Sequence, residues 1–261
     1  MNHFSKLFLI GVIGLLIGSS SVVAITIQPQ NIPDSAKVGT SIGTDSAITF
    51  RFTNLYTKYD NWTLVGTTQL QAATWTITKY DNQGNQIGNQ KTVTQAKFSL
   101  QIHGSITTVK IRLEGTVPQV SDYQYRPPQK FLLAKFKQVQ QGGVSTILET
   151  YRVHHYTQQS RKARKQLNQA QQAIQKSRAA GADVSAATDL FQNAVDAFNQ
   201  GFFSNAIDLA NQAEANAESA QQSHQQNQML IWMGGGGAGI LIIGAGIYWY
   251  LTRRETADKL G

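Results

Sequence analysis

The sequence predicts an α+β protein with its two classes segregated along the chain: an antiparallel β-sandwich ectodomain, then an Ala/Gln-rich antiparallel helical bundle or stalk, then one transmembrane helix. Three observations predict it. Apolar residues alternate with polar ones at period two over the first half. They step by three and four from about Tyr156 to Gln228, the spacing of a helix face. A charge-free run then closes the pattern, Met229 to Leu251, 23 residues long.

At the N-terminus, Lys6 precedes a 12-residue apolar run, Leu7 to Gly18, and the small residues Val22-Val23-Ala24 come next. This is the three-part form of a secretory signal peptide over 1–24. The alternative is an uncleaved anchor, and either form exports the chain beyond Ala24.

The strand-like segment covers 25–155. In "SAITFRF", Ile48, Phe50 and Phe52 share one face, and in "ATWTITKY" Trp75 and Ile77 alternate with threonines. "TTVKIRLEG" sets Val109, Ile111 and Leu113 against Lys110, Arg112 and Glu114. Lys130 to Val153 reads as a hairpin about Gly142-Gly143. Strands of this kind, broken every ten residues or so by Gly, Asn or Pro, argue for a sandwich.

The helical segment covers 156–228. Ala163, Leu167, Ala170, Ile174 and Ser177 form one stripe, Ala187, Leu190, Ala194 and Ala197 a second, and Phe203, Ala206, Ala210, Ala213, Ala217 and Ala220 a third. Narrow stripes of small residues suit closely packed antiparallel helices. Gly181 and Gly201 end the first two helices, and Asp183 or Ser185 caps the second.

In the last segment, Met229 to Leu251 would extend about 34 Å as a helix, enough for a hydrocarbon core of about 30 Å. Trp232 and Tyr248-Trp249-Tyr250 stand near its edges, and Arg253 and Arg254 come after it as topology anchors of a tail at 252–261. The positive-inside rule then places the C-terminus in the cytoplasm and the N-terminal domain outside the cell. The expected location is a single-pass cell membrane protein, with the lipid bilayer as partner. Gly234, Gly236 and Gly239 also fit a dinucleotide-binding pattern, but no strand precedes them, so that reading is rejected. Gly235 and Gly239, four apart, fit instead as a contact with another membrane helix or a second copy.

Charge divides unevenly. Lys and Arg total 23 against 15 acids, a formal charge of +8. Arg161, Lys162, Arg164, Lys165, Lys176 and Arg178 stand in a stretch without acids, while Asp183, Asp189, Asp196, Asp208, Glu214 and Glu218 stand in one without Lys or Arg. The expectation is that the first helix pairs with the other two, so no nucleic-acid partner is predicted. The remaining positive excess lies on the strand segment and would favour an anionic surface polymer.

"ATDLFQNAVDAFNQGFFSNAIDLANQAEANAES", Ala187 to Ser219, resembles a single tetratricopeptide-type helical hairpin at Leu190, Ala194, Gly201, Phe203, Ala206 and Ala213. It departs at Asn193 and Ala197 and lacks the closing proline. The resemblance implies local helix packing. The order of parts also resembles membrane-anchored surface proteins of archaea.

No catalytic, cofactor or metal site is predicted. The chain has no cysteine, and His154-His155, adjacent on a strand, would point to opposite faces. Asn61-Trp62-Thr63 is a candidate glycosylation sequon. The expected function is non-enzymatic: a single-pass cell-surface protein presenting a sandwich on a stalk for adhesion, envelope structure or ligand binding. The alternatives are an accessory subunit of a membrane complex and an envelope enzyme with a dispersed site.

Overall fold

The computed structural model describes residues 24–56 and 60–255, with side chains through 229. Strands come first: β1 (Thr26–Gln30), β2 (Ser35–Lys37), β3 (Ser41–Ile42), β4 (Ile48–Thr53), β5 (Trp62–Thr67) and β6 (Gln71–Tyr80). Next come β7 (Lys91–Val93), β8 (Lys97–Ile102), β9 (Thr108–Thr116), β10 (Lys130–Gln140) and β11 (Ser145–Tyr156). Three helices follow among the described residues: α1 (Gln158–Ala179), α2 (Ser185–Asn199) and α3 (Phe203–Glu255).

The strands form two sheets. One has the order β1-β4-β9-β6-β7, with β3 also pairing β9, and the other β2-β11-β10-β5-β8. All pairings are antiparallel except β2 with β11, which is parallel. The alternation read from the sequence decides which side of each strand is buried. Ile48, Phe50 and Phe52 point inward from β4, Trp75 and Ile77 from β6, and Val109, Ile111 and Leu113 from β9. Opposite them stand Leu64, Phe98, Ile102, Leu133 and Phe136 of the second sheet. The rings of Phe50 and Phe52 each lie 4.8 Å from Phe136, and Trp75 lies 5.0 Å from Phe98, all edge-to-face. The two sheets therefore share one core, in which each large side chain contributes about 1.5–3 kcal/mol. Gly66 of β5 leaves room for it: a Cβ there would lie 2.0 Å from the Phe98 ring.

The helices pack around a second apolar cluster. Ala163, Leu167, Ala170 and Ile174 come from α1, Ala187, Ala194, Ala197 and Phe198 from α2, and Phe203, Ala206, Ala210, Ala213 and Ala217 from α3. α1 starts at a capping box, Thr157 Oγ1 accepting from Ser160 N at 3.0 Å while Ser160 Oγ accepts from Thr157 N at 3.0 Å. The chain leaves α1 through Gly181 and α2 through Gly201, both with positive φ. The α2 N-cap is Val184, without a side-chain bond, and Asp183 Oδ1 accepts from Ser185 N just outside it.

Three expectations need correction. The expected charge pairing between helices is not formed: among the described residues the one ion pair is Arg112–Glu114, within β9. Amides and hydroxyls join the helices instead, Gln166 Nε2 donating to Glu214 at 2.6 Å and Arg178 to Thr188 Oγ1 at 3.2 Å. Arg161, Lys162, Lys165 and Lys176 stay outside the packed stripe, because it is built of small residues and the long cations point away from it.

The expected transmembrane helix is the second correction. Among the described residues, no helix is long and apolar enough to cross a membrane. α3 runs unbroken from Phe203 to Glu255, and its described side chains, through Met229, are mostly Gln, Asn, Ser and Ala with Asp208, Glu214 and Glu218 among them. Such a surface leaves polar groups that hydrocarbon would penalise. The third correction stems from it: the membrane, single-pass, cell-surface location, with an extracellular N-terminal domain and cytoplasmic C-terminus, is withdrawn. Gly235, Gly239, Arg253 and Arg254 belong to α3, but their side chains lie outside the described residues, as does the segment expected to be a signal peptide up to residue 23.

Candidate functional site

Two features stand out, a joint between the two-sheet unit and the helices, and a cleft on the outer face of the first sheet.

The joint is built on the loop from Val117 to Gln129, between β9 and β10. In sequence it is polar and Pro-rich, yet Tyr125 is only 4 % exposed and belongs to the helical cluster. Its ring sits edge-on to Phe191 at 6.0 Å and Phe198 at 6.2 Å. Its hydroxyl donates to Asn168 Oδ1 at 2.7 Å, and its backbone N–H donates to Asn199 Oδ1 at 2.8 Å. Burial pushes the phenol above its ordinary pKa. Tyr123 packs beside it, 4.7 Å from Phe203.

Three more side chains hold the loop. Arg164 of α1 donates to the carbonyls of Tyr125 and of Gln124, the latter at 2.7 Å, and lies over the Phe198 ring at 5.0 Å. From the end of β11, His154 Nδ1 meets Gln129 O at 2.9 Å and His155 Nδ1 meets Pro118 O at 3.2 Å. A carbonyl only accepts, so each imidazole carries its proton on Nδ1. Burial pulls both histidines below their ordinary pKa, which favours the neutral ring. The two adjacent residues bracket the loop from opposite faces of the strand, as the period-two geometry requires. Only Thr157 separates β11 from α1, so strand, loop and helix meet at one place.

The cleft has a volume of about 330 Å³ and is lined by Gln30, Thr49, Arg51, Tyr80, Gly84, Thr108 and Lys110. It crosses four strands, β1, β4, β9 and β6, on the face turned away from the core. Register places Arg51 directly opposite Lys110, Gln30 opposite Thr49, and Thr108 opposite Tyr80. Gly84, with φ +87, lets the β6–β7 turn rise as one wall. Arg51 and Lys110 are exposed, and among the described residues neither has an ion pair. Arg112, the next cation along β9, differs: Glu114 and the Gly43 carbonyl take its guanidinium. Asp81, beside Tyr80, is committed to its own turn, accepting from Gln83 N at 2.9 Å and Asn85 N at 2.8 Å. Those backbone donors hold its carboxyl below the usual carboxylate range.

Asn61 is exposed immediately before β5, and Thr63 Oγ1 bonds Gln101 Oε1 at 2.9 Å. Among the described residues no group of three His, Asp or Glu side chains is placed to hold a metal ion. Sequence reasoning singles out His154 and His155 only to set them aside, and it misses Tyr123, Tyr125 and the Arg51–Lys110 pairing. The signal available for the tyrosines is their recurrence, Tyr-x-Tyr, in a loop otherwise without apolar residues from Ser121 to Gln129 save the prolines.

No protein-family model matches the chain, and no curated protein matches it in sequence. Among solved structures it is similar to Spo0M, a sporulation control protein from Bacillus subtilis, at 12% identity over 59% of this chain and 56% of that one, with a TM-score of 0.29. The chain thus spans little more than half of that structure, and a likeness this slight bears on neither fold family nor function.

Proposed function

We propose that this protein is a non-enzymatic presenting module, a β-sandwich held in fixed orientation on a helical bundle so that one sheet face meets a ligand or a structural partner. The observation that carries the reading is the joint. A flexible tether needs no buried aromatic, whereas here Tyr123 and Tyr125 of the sandwich loop are part of the helical core. Arg164, His154 and His155 grip the same loop from both sides. Fixing orientation costs conformational entropy, and it is useful where a face must be aimed.

Nitrogen-15 relaxation of the full chain tests the reading. One rotational correlation time shared by strand and helix amides supports it. Separate tumbling of the two units refutes it.

A second reading, an accessory subunit of a larger assembly, is favoured by exposed apolar side chains at two turns. Val144 and Ile147 flank the β10–β11 turn, and Phe202 stands between α2 and α3, all more than half exposed. Native mass measurement of the protein isolated from its source separates the two, since a subunit travels with its partners.

A further inference from the structure

We propose that the cleft on the first sheet binds an acidic saccharide, with Arg51 and Lys110 holding one carboxylate or sulfate between them and the neutral lining bonding the sugar hydroxyls. The proposal rests on the presenting-module reading and names its ligand class. Directly opposed residues of an antiparallel pair bring their Cβ atoms to about 4.5–5.5 Å, where like charges destabilise the sheet. Arg51 and Lys110 occupy such a pair without a counter-charge among the described residues. The same sheet neutralises Arg112 with Glu114 one row away. An anion seated between the two cations would remove the repulsion and gain charge-assisted hydrogen bonds.

The rest of the lining selects the class. Only two of its side chains are charged, so the cleft suits one anionic group rather than a continuous phosphate backbone, which is met by a longer basic track. Gln30, Thr49, Thr108 and Tyr80 supply hydroxyl and amide groups of the kind that pair with sugar hydroxyls. Tyr80 adds an aromatic body at one side, and the volume, about 330 Å³, lies at the lower end of ligand pockets.

The test is calorimetric titration of the full-length protein with an oligogalacturonate, a sulfated oligosaccharide, a neutral oligosaccharide of the same length and oligoglutamate. The acidic saccharides should bind, more weakly at high salt, and the neutral one should not. Arg51→Gln or Lys110→Gln should each weaken binding by about tenfold or more, the loss of one hydrogen bond to a charged group. Lys97→Gln, on the exposed face of β8 in the other sheet, should leave it unchanged. Neither cleft variant should lower the thermal midpoint of the free protein, because each relieves repulsion.

Equal binding of neutral and acidic saccharides, or wild-type affinity in both cleft variants, overturns the proposal. So does oligoglutamate binding as tightly as the saccharides, which would mean that charge alone is read. Absence of any binding overturns it too, and if the relaxation data still show one rigid body, only the cleft assignment fails.

Discussion

Replacing Tyr125 by alanine is the most direct probe of the joint. The side chain is 4 % exposed, and its loss removes a ring that touches Phe191 and Phe198 and lies under the Arg126 and Arg164 guanidinium groups. Truncating a large buried aromatic costs about 3–5 kcal/mol. The value here belongs at the lower end of that range. Asn168, the hydroxyl's partner, is exposed and regains water, and the Arg164 bonds run to backbone carbonyls that alanine keeps. Tyr125→Phe isolates the hydroxyl and should cost about 0.5–1.5 kcal/mol.

The stronger expectation concerns cooperativity. The two apolar clusters have no residue in common, and the 117–129 loop ties one to the other. Urea unfolding in a background with Trp232→Phe and Trp249→Phe, which leaves only Trp62 and Trp75 of the sheets, followed by tryptophan fluorescence for the sheets and far-ultraviolet circular dichroism for the helices, should give coincident curves. In Tyr125→Ala the helical signal should move to lower urea and separate from the fluorescence. Two curves that stay superimposed with a loss below about 0.5 kcal/mol, the size of an ordinary surface change, would refute the coupling role.

Other expectations rest on single contacts. Gly43→Ala should destabilise by about 2 kcal/mol or more by thermal melting, since φ is +85° and the new Cβ would meet Leu113 O at 2.2 Å. Ala213→Leu, at a fully buried position of α3, should cost about 1–3 kcal/mol through overpacking, seen as a lowered helical melting midpoint. Thr157→Ala removes half of the capping box at α1 and should cost about 1 kcal/mol in urea. His154 and His155 have lowered folded pKa values, so the unfolded chain takes up protons first. Stability should be full above the unfolded value of about 6.5 and should fall as acidification passes from there through the folded values. The double variant His154→Gln, His155→Gln should flatten that slope in urea titrations as pH falls below about 6.5, the unfolded histidine value, leaving the carboxylate-driven loss.

How far the sequence can be read depends on the range of the interaction. Strand faces are local, so the alternation at Ile48, Phe50 and Phe52 is enough to name the inward side of β4. Helical stripes are local too, and the steps between Ala163, Leu167, Ala170 and Ile174 mark the packed face of α1. Pairing is not local: nothing in "SAK" announces that Ser35–Lys37 lies parallel to the end of β11. The cleft depends on the same long-range information, since Arg51 and Lys110 meet only through the register of β4 on β9.

The helical charges mislead for another reason. A count of six cations against six acids carries no direction, and Arg164 spends its donors on loop carbonyls instead of on an acid. The apolar run after Met229 reads as an element of its own, yet the backbone carries the polar helix straight into it. Tyr125 is hidden by composition, because a loop of Ser, Asp, Gln, Arg and Pro reads as solvated until the groove that receives its one ring is known.

The direct passage of β11 into α1 has a mechanical consequence. Tension entering through the helices reaches the sheets first at the end of β11, where the strand is bonded to β10 on one side and to β2 on the other. His154, which faces Lys130 on one side and Ser35 on the other, holds that end with two rows of bonds instead of one. A pull on the helices therefore meets both neighbours of β11 at once.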